Sequence, residues 1–361
     1  MTVVLGWLAS AVASPPGLVV HEWGTFTAVA GRDGAPVTWA PLGAATDLPD
    51  FVYGPNRLQE GQRDAIGKGQ RATIRMETPV LYFYTPVEQR VSVAVSFVDG
   101  QISEWYPRVS SYTGSGVDWG TFLLVPRGSA ELPHDGSSSH YYPARAVESA
   151  LVQVCGAGGD EVERFLFYRG VGTFAPSIAA TADARQVRSW TPGDGPATAV
   201  WFERRGDRVG FAEVPADGVA ARPVLDDTLA DVTSHLAELL VDAGLYRPEA
   251  LAMIETWKGD WFEDGLRVLY LVPRSETDRR LPLTVSPTPS EVVRVLVGRL
   301  EVPTPEDRAA LAAILDRPDA DPAVLTAVTA RFGRFAEPWL AQSDHPRAAR
   351  LLPPGGSPSV D

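Results

Sequence analysis

The chain has 361 residues, 45% of them hydrophobic and 21% charged, which is typical of a folded protein with one large core or two ordinary ones. Its formal net charge of −13 argues against a nucleic-acid partner and against attraction to anionic lipid, because both need a basic surface. The single cysteine excludes an internal disulfide and a zinc site that is ligated by several cysteines.

Residues 1–13 have the pattern of a signal peptide. Residues 3–12 form an apolar run, and Ala11-Val12-Ala13 matches the small-residue motif at which signal peptides are cleaved. We therefore predict a signal peptide and a periplasmic or secreted protein; if the segment is instead a buried first strand, the protein is cytoplasmic. No other stretch approaches the roughly 18 apolar residues of a membrane-spanning helix, so we predict no integral membrane segment.

From residue 17 to residue 216 the sequence alternates between short strand-like segments and turns. Asp99-Gly100 has the sequence of a tight type I′ turn, which predicts a hairpin between the strands before and after it. A second hairpin is predicted around Arg205-Gly206-Asp207, and Pro79 is predicted to break a strand ladder. The predicted strands are residues 19–29, 72–76, 80–84, 90–98, 101–106, 120–125, 151–155, 164–169, 200–203 and 209–214.

The pattern changes near residue 222, where apolar residues recur at helical spacing. Two helices are predicted at 225–239 and 248–257. They are followed by strands at 266–272, 281–285 and 292–302, the last of which would also fit a helix, and by helices at 304–315 and from 321 onward. The predicted fold is therefore mainly β, with a β-sandwich-like N-terminal body over 17–216 and a smaller α+β C-terminal part over 222–345. Residues 346–361 are predicted to be a flexible tail.

Several ionisable residues lie inside apolar or aromatic runs, where burial without a partner is costly. They are His21 and Glu22 in HEWGTFT, Arg75 and Glu77 at METPVLYFY, Glu104 in EWYP, Arg169 in FLFYRGVG, and His140, Tyr142 and Arg145 in HYYPAR. One interpretation is structural: arginines and glutamates would form buried ion pairs, and histidines would bond to carbonyl groups.

Four of these segments, HEWGTFT, METPVLYFY, EWYP and FLFYRGVG, together resemble a family of large exported bacterial proteins whose activity is uncharacterised. The resemblance extends over most of the chain. It implies export and implies nothing about chemistry.

A functional interpretation brings the ionisable residues together at one end of the β-rich body. Imidazole and carboxylate groups would suit zinc, copper or manganese, as cofactor of a metal-dependent enzyme of the cell envelope. The predicted metal ligands are His21, Glu22 and His140, with Glu77 and Glu104 able to complete the set. The predicted catalytic residues are Glu77, Glu104, Tyr142 and Arg145, and Arg75, Arg145 or Arg169 would hold an anionic group.

Two other hypotheses use no metal. Glu77 and Glu104 would act as an acid–base pair in a glycosidase-like hydrolase, with Trp105 as a stacking platform for a sugar ring. Alternatively, the protein is a non-enzymatic carbohydrate- or protein-binding module in which some of its 10 tryptophans supply exposed contact surfaces. A polar small molecule, a saccharide or a peptide is the expected partner in these hypotheses.

Overall fold

The computed structural model describes residues 17–43, 48–55, 70–156 and 159–352. The predicted signal peptide at 1–13 and residues 353–361 of the predicted tail lie outside the described residues. Strand residues make up 38% and helix residues 25%, which confirms the prediction of a mainly β protein with a smaller helical C-terminal part.

The strands are β1 (Val19–Val29), β2 (Ile74–Tyr84), β3 (Gln89–Ser96), β4 (Gly100–Tyr106), β5 (Ser111–Tyr112), β6 (Gly116–Val125), β7 (Leu151–Val154), β8 (Glu161–Glu163), β9 (Leu166–Gly172), β10 (Ala179–Ala182), β11 (Gln186–Trp190), β12 (Thr198–Arg205), β13 (Arg208–Pro215), β14 (Gly218–Ala221), β15 (Gly265–Leu271), β16 (Leu283–Ser286) and β17 (Glu291–Val302). The helices are α1 (Leu229–Asp242), α2 (Arg247–Trp261), α3 (Arg274–Arg280), α4 (Pro305–Leu315), α5 (Asp321–Phe332), α6 (Ala336–Ala341) and α7 (Ala348–Leu351).

The largest sheet has eight strands in the order β13-β12-β15-β17-β1-β2-β9-β4. Strands β1 and β17 pair in parallel, whereas β1 and β2 pair antiparallel. Ten of the eleven residues of β1 are buried, because this strand has a neighbour on each edge and a packed layer on each face. Strands β15 and β17 come from the predicted C-terminal part and lie beside strands of the predicted N-terminal body, so one sheet spans the boundary predicted between residues 216 and 222.

Two smaller sheets pack on one face of the eight-stranded sheet. One has the order β16-β3-β6-β7-β8, with β5 paired to β6, and the other has the order β10-β11-β14. Apolar side chains from all three sheets, including Phe26, Phe97, Trp119 and Trp201, form one continuous core between the layers. This sheet-on-sheet arrangement is the sandwich-like part of the fold.

Helices α1 and α2 cover the other face of the eight-stranded sheet. Their apolar side chains pack with Trp23, Tyr82 and Phe202 in a second core. A third core lies under α4 to α7 and includes Val29 and Trp39. Because side chains alternate along a strand, β1 contributes even-numbered residues to the first core and odd-numbered residues to the helix-covered face.

Two of the helices begin at a threonine whose side chain caps them. Thr228 caps α1 and Thr304 caps α4, and in both helices an aspartate three residues later returns the hydrogen bond, which completes a capping box. Gly244 follows α1 with a φ of 110°, a conformation that favours glycine and allows the chain to turn towards α2.

Three predictions about local structure differ from the structure. Strands β3 and β4 do not form a hairpin at Asp99-Gly100: β3 pairs with β6 and β16, whereas β4 pairs with β9 in the other sheet. The turn takes the chain from one layer of the sandwich to the other, around the ring of Phe97. A side chain at position 100 would clash with this ring, because its Cβ would lie 2.6 Å from it, so glycine fits here. Pro79 interrupts the pairing of β2 with β1 and with β9, as predicted, but it lies at a bulge within one strand, so the two strands predicted at 72–76 and 80–84 merge into β2.

The predicted flexible tail also begins too early. Residues 348–351 form α7, and Ala348 and Leu351 are buried in the third core. Arg347 holds this segment to the rest of the molecule through Asp321, at 2.7 Å from Nε to Oδ1. The sequence predicted a solvated tail from the polar residues of this segment. Burial of its apolar side chains instead holds the segment in a helix.

Candidate functional site

The structure places His21 and Glu22 on opposite faces of β1. His21 lies on the helix-covered face, where its Nδ1 is 2.8 Å from Oε2 of Glu249. Glu22 lies between the sheets and accepts hydrogen bonds from the hydroxyl of Tyr168, at 2.6 Å, and from Nε of Arg294. Because successive strand residues point to opposite faces, these two side chains cannot ligate the same ion.

His140 is also separated from His21. Its ring packs against Trp257 on α2, with 4.9 Å between ring centroids, whereas His21 contacts Glu249 near the start of the same helix. These two contact points on α2 are separated by about 12 Å along the helix axis, at 1.5 Å per residue. The two imidazoles therefore do not converge as the metal hypothesis requires.

Glu77 is held by two arginines and a threonine. Its Oε1 lies 3.0 Å from Nε of Arg75 and accepts a bond from Arg334, while its Oε2 accepts a bond of 2.7 Å from the hydroxyl of Thr27. Burial acts to raise the pKa of Glu77, but Arg334, Arg75 and the Thr27 hydroxyl outweigh it and lower the pKa from 4.5 to about 2. An acid with this pKa is ionised at neutral pH and has no proton to donate.

Glu104 is paired in the same way. Its two carboxylate oxygens accept bonds of 2.8 and 3.0 Å from Arg169. Burial favours a higher pKa for Glu104, but the charge and hydrogen bonds of Arg169 lower it overall. The indole of Trp105 is buried and stacks on Tyr112, with 4.6 Å between centroids, so it offers no open face to a sugar. The acid–base pair and platform of the glycosidase hypothesis are therefore occupied by contacts within the protein.

Tyr142 and Arg145 lie together but bond to different acids. The hydroxyl of Tyr142 donates to Oδ1 of Asp135 at 2.7 Å, and the guanidinium of Arg145 bonds to Glu163 and to the carbonyl of Pro133. Arg145 also lies over the Tyr142 ring, 5.0 Å from its centroid. Among the residues that the structure describes, no three His, Cys, Asp or Glu side chains are grouped so as to hold a metal ion.

A polar cleft of about 410 Å³ lies beside the end of β2, and we call it the Tyr84 cleft. Its walls come from four places in the sequence: the end of β2, the turn after β6, the segment before β7 and the residue Arg164 before β9. The lining residues are Tyr84, Thr85, Pro126, Arg127, Gly128, Glu148, Ser149, Ala150 and Arg164.

Three charged side chains of the Tyr84 cleft have no ionic partner among the described residues. Arg127 and Glu148 are exposed and make no hydrogen bond or ion pair through their side chains. Arg164 donates from Nη1 to the carbonyl of Ser149 at 3.2 Å and pairs with no carboxylate. Arg127 also has a φ of 51°, which is uncommon for a residue with a side chain.

His21 supports the wall of this cleft from inside the molecule. Glu249 accepts a bond of 2.6 Å from the Tyr84 hydroxyl on Oε1, while its Oε2 lies 2.8 Å from His21 Nδ1 and accepts a bond of 2.7 Å from the backbone N–H of Tyr246. Burial, followed by the charge of Glu249, raises the pKa of Tyr84, so its hydroxyl keeps its proton. The buried His21–Glu249 pair therefore fixes Tyr84 in place.

The sequence interpretation missed Tyr84, Arg127, Glu148 and Arg164. Tyr84 is the last residue of the METPVLYFY segment, and the pattern of that segment predicts a buried aromatic side chain there. The Arg127-Gly128 step offered a weak signal, since a charged residue before a glycine after a strand is typical of a surface turn. These residues come together only through the pairing of β2, β6, β7 and β9.

The described chain is thus a mainly β protein with a helix-covered central sheet and a polar cleft. No family model matches the sequence, and no curated protein matches it. Among solved structures it is similar to the Mu homology domain of Fcho1 from Danio rerio with bound Eps15 peptide, at 7% identity and a TM-score of 0.29, over 80% of this chain and 97% of that chain. No helix among the described residues is long and apolar enough to cross a membrane.

Proposed function

We propose that the protein is a binding protein whose Tyr84 cleft holds a small polar ligand with a carboxylate group. The observation that carries this proposal is the presence of two guanidinium groups, Arg127 and Arg164, that share one cleft and pair with no carboxylate. Arginine binds carboxylates through two parallel N–H bonds, so a ligand carboxylate would supply the missing partner.

The contrast with the interior strengthens this proposal. Buried arginines such as Arg267, Arg294 and Arg299 are each bonded to at least one glutamate. The chain as a whole has an excess of acids, with a net charge of −13, so acidic partners are abundant. Arg127 and Arg164 remain without such a partner in a cleft that is open to solvent.

We favour a sugar acid as the ligand. A volume of about 410 Å³ is within the range of small-molecule sites. Glu148 can accept bonds from sugar hydroxyl groups, and Tyr84 contributes an aromatic ring to the wall, as in many saccharide sites. The signal-peptide pattern at residues 1–13 adds the proposal that this binding takes place outside the cytoplasm.

Isothermal titration calorimetry with glucuronate and with glucose tests the proposal. We expect glucuronate to bind saturably and glucose to bind at least about tenfold more weakly, because a charge-assisted hydrogen bond contributes about 1.5–3 kcal/mol. Arg127→Gln and Arg164→Gln should each weaken glucuronate binding by a similar factor. Arg188→Gln is the matched control, since Arg188 is an exposed arginine on β11.

Two results would contradict the proposal. One is the absence of saturable glucuronate binding at millimolar concentration. The other is an equal affinity in Arg127→Gln, Arg164→Gln and Arg188→Gln, with circular dichroism showing that all three variants are folded.

A further inference from the structure

A second cleft lies far along the sequence from the first, between α4 and the segment that follows α6. Its volume is about 370 Å³, and we call it the Arg308 cleft. Arg308, Leu311 and Ala312 of α4 form one side, and Trp339 and Asp344 lie on the other. None of these residues lines the Tyr84 cleft, so the two clefts are separate sites.

Arg308 is a half-buried cation that makes no hydrogen bond or ion pair through its side chain among the described residues. A second guanidinium, that of Arg32, lines the same cleft and pairs with the exposed Asp344. Burial, and then the charge of Arg32, lowers the pKa of Arg308, which is the effect of a desolvated cation near another cation. An anion placed between them would relieve both effects.

Two acids of α4, Asp307 and Glu306, act to raise the pKa of Arg308 but do not outweigh burial and Arg32. Asp307 is buried and accepts a bond of 2.6 Å from Nη1 of Arg205, and it also takes a bond of 2.7 Å from the Thr304 hydroxyl. This carboxylate is therefore committed to the start of α4.

The remainder of the Arg308 cleft is largely apolar. Leu311 and Trp339 are buried side chains whose surfaces form part of its lining, and Pro303 and Ala312 add further apolar area. A wall of this kind favours an apolar body, since each buried CH₂ group contributes about 0.8 kcal/mol. We propose that the Arg308 cleft binds a monocarboxylate with an apolar body, such as an aliphatic or aromatic acid.

Binding of hexanoate, hexanol and inorganic phosphate to the full chain tests this proposal by equilibrium titration. Hexanoate should bind saturably, and hexanol and phosphate should each bind at least about tenfold more weakly, because each lacks one of the two recognised features. Arg308→Gln should weaken hexanoate binding by about tenfold or more, and Arg188→Gln should leave it unchanged.

A second variant separates the role of the cleft from the role of one side chain. Ala312 is exposed on α4, so Ala312→Asp should fold normally while placing a negative charge beside the ligand carboxylate. We expect it to weaken hexanoate binding and leave glucuronate binding unchanged. The proposal is overturned if hexanoate does not bind, if hexanol or phosphate binds as tightly, or if neither Arg308→Gln nor Ala312→Asp lowers the affinity.

Discussion

Replacement of Glu77 by glutamine should destabilise the protein by about 3 kcal/mol. Glu77 is 2% exposed, and the neutral amide would remove the carboxylate that Arg75 and Arg334 share. Removing one partner of a buried ion pair costs about 3–5 kcal/mol. The pKa leads to a similar value, because a fall from 4.5 to about 2 corresponds to about 3 kcal/mol of unfolding free energy.

Urea unfolding at pH 7, followed by circular dichroism, measures this difference. Glu131→Gln is the control: Glu131 is an exposed acid, and its replacement should change the free energy of unfolding by less than about 0.5 kcal/mol. The pKa of Glu77 is lower in the folded chain, so its contribution is present above pH 4.5 and is lost as the pH falls towards 2. The difference between wild type and Glu77→Gln should therefore shrink over this range. A cost below about 1 kcal/mol at pH 7, or a difference that does not change with acid, would refute the ion-pair explanation.

Three further results are expected. His21→Phe keeps an aromatic ring but removes one of the three partners of Glu249, so the free energy of unfolding should fall by about 1–3 kcal/mol in urea, and an unchanged midpoint would contradict the proposed support of Tyr84. Metal analysis of the purified protein should find zinc, copper and manganese well below one per chain, with no change in His140→Ala; a stoichiometric metal lost in that variant would contradict the observed separation of the two histidines. We also predict that N-terminal sequencing of the protein from its native host begins at Ser14, and an intact Met1 would rule out cleavage at the predicted site.

Most strands were predictable because each is a local pattern. Residues 19–29 read as a strand from their Val, Thr and aromatic content, and β1 has these bounds. The hairpin at residues 200–214 was also predictable, and β12 and β13 pair antiparallel around the expected turn, as predicted. Partners distant in sequence were not predictable: β1 pairs with β17, which is more than 250 residues further along the chain, and nothing in either segment specifies the other.

The hairpin prediction at Asp99-Gly100 shows the limit of turn signals. A turn residue such as Asp99, with a φ of 55°, indicates that the chain turns at this point. It does not indicate which sheet the next strand joins. In this protein β3 and β4 belong to different sheets: β3 pairs with β6, and β4 pairs with β9.

The charged residues of the predicted site lie in apolar runs, and the structure shows them buried or half-buried. The structural interpretation accounts for most of them, because Glu77, Glu104 and Arg145 each form an ion pair within the protein. Strand alternation alone was enough to show that His21 and Glu22 point to opposite faces. The acid that holds His21, Glu249, is 228 residues away, so only the folded chain reveals it.

We propose above that Arg127 and Arg164 bind the carboxylate of a sugar acid in the Tyr84 cleft. A crystal structure with glucuronate at a saturating concentration is the most direct measurement. We expect the sugar in this cleft, with its carboxylate oxygens about 2.7–2.9 Å from guanidinium nitrogens of Arg127 or Arg164. Glucuronate bound elsewhere on the protein, or in the cleft with its carboxylate directed away from both arginines, would contradict it.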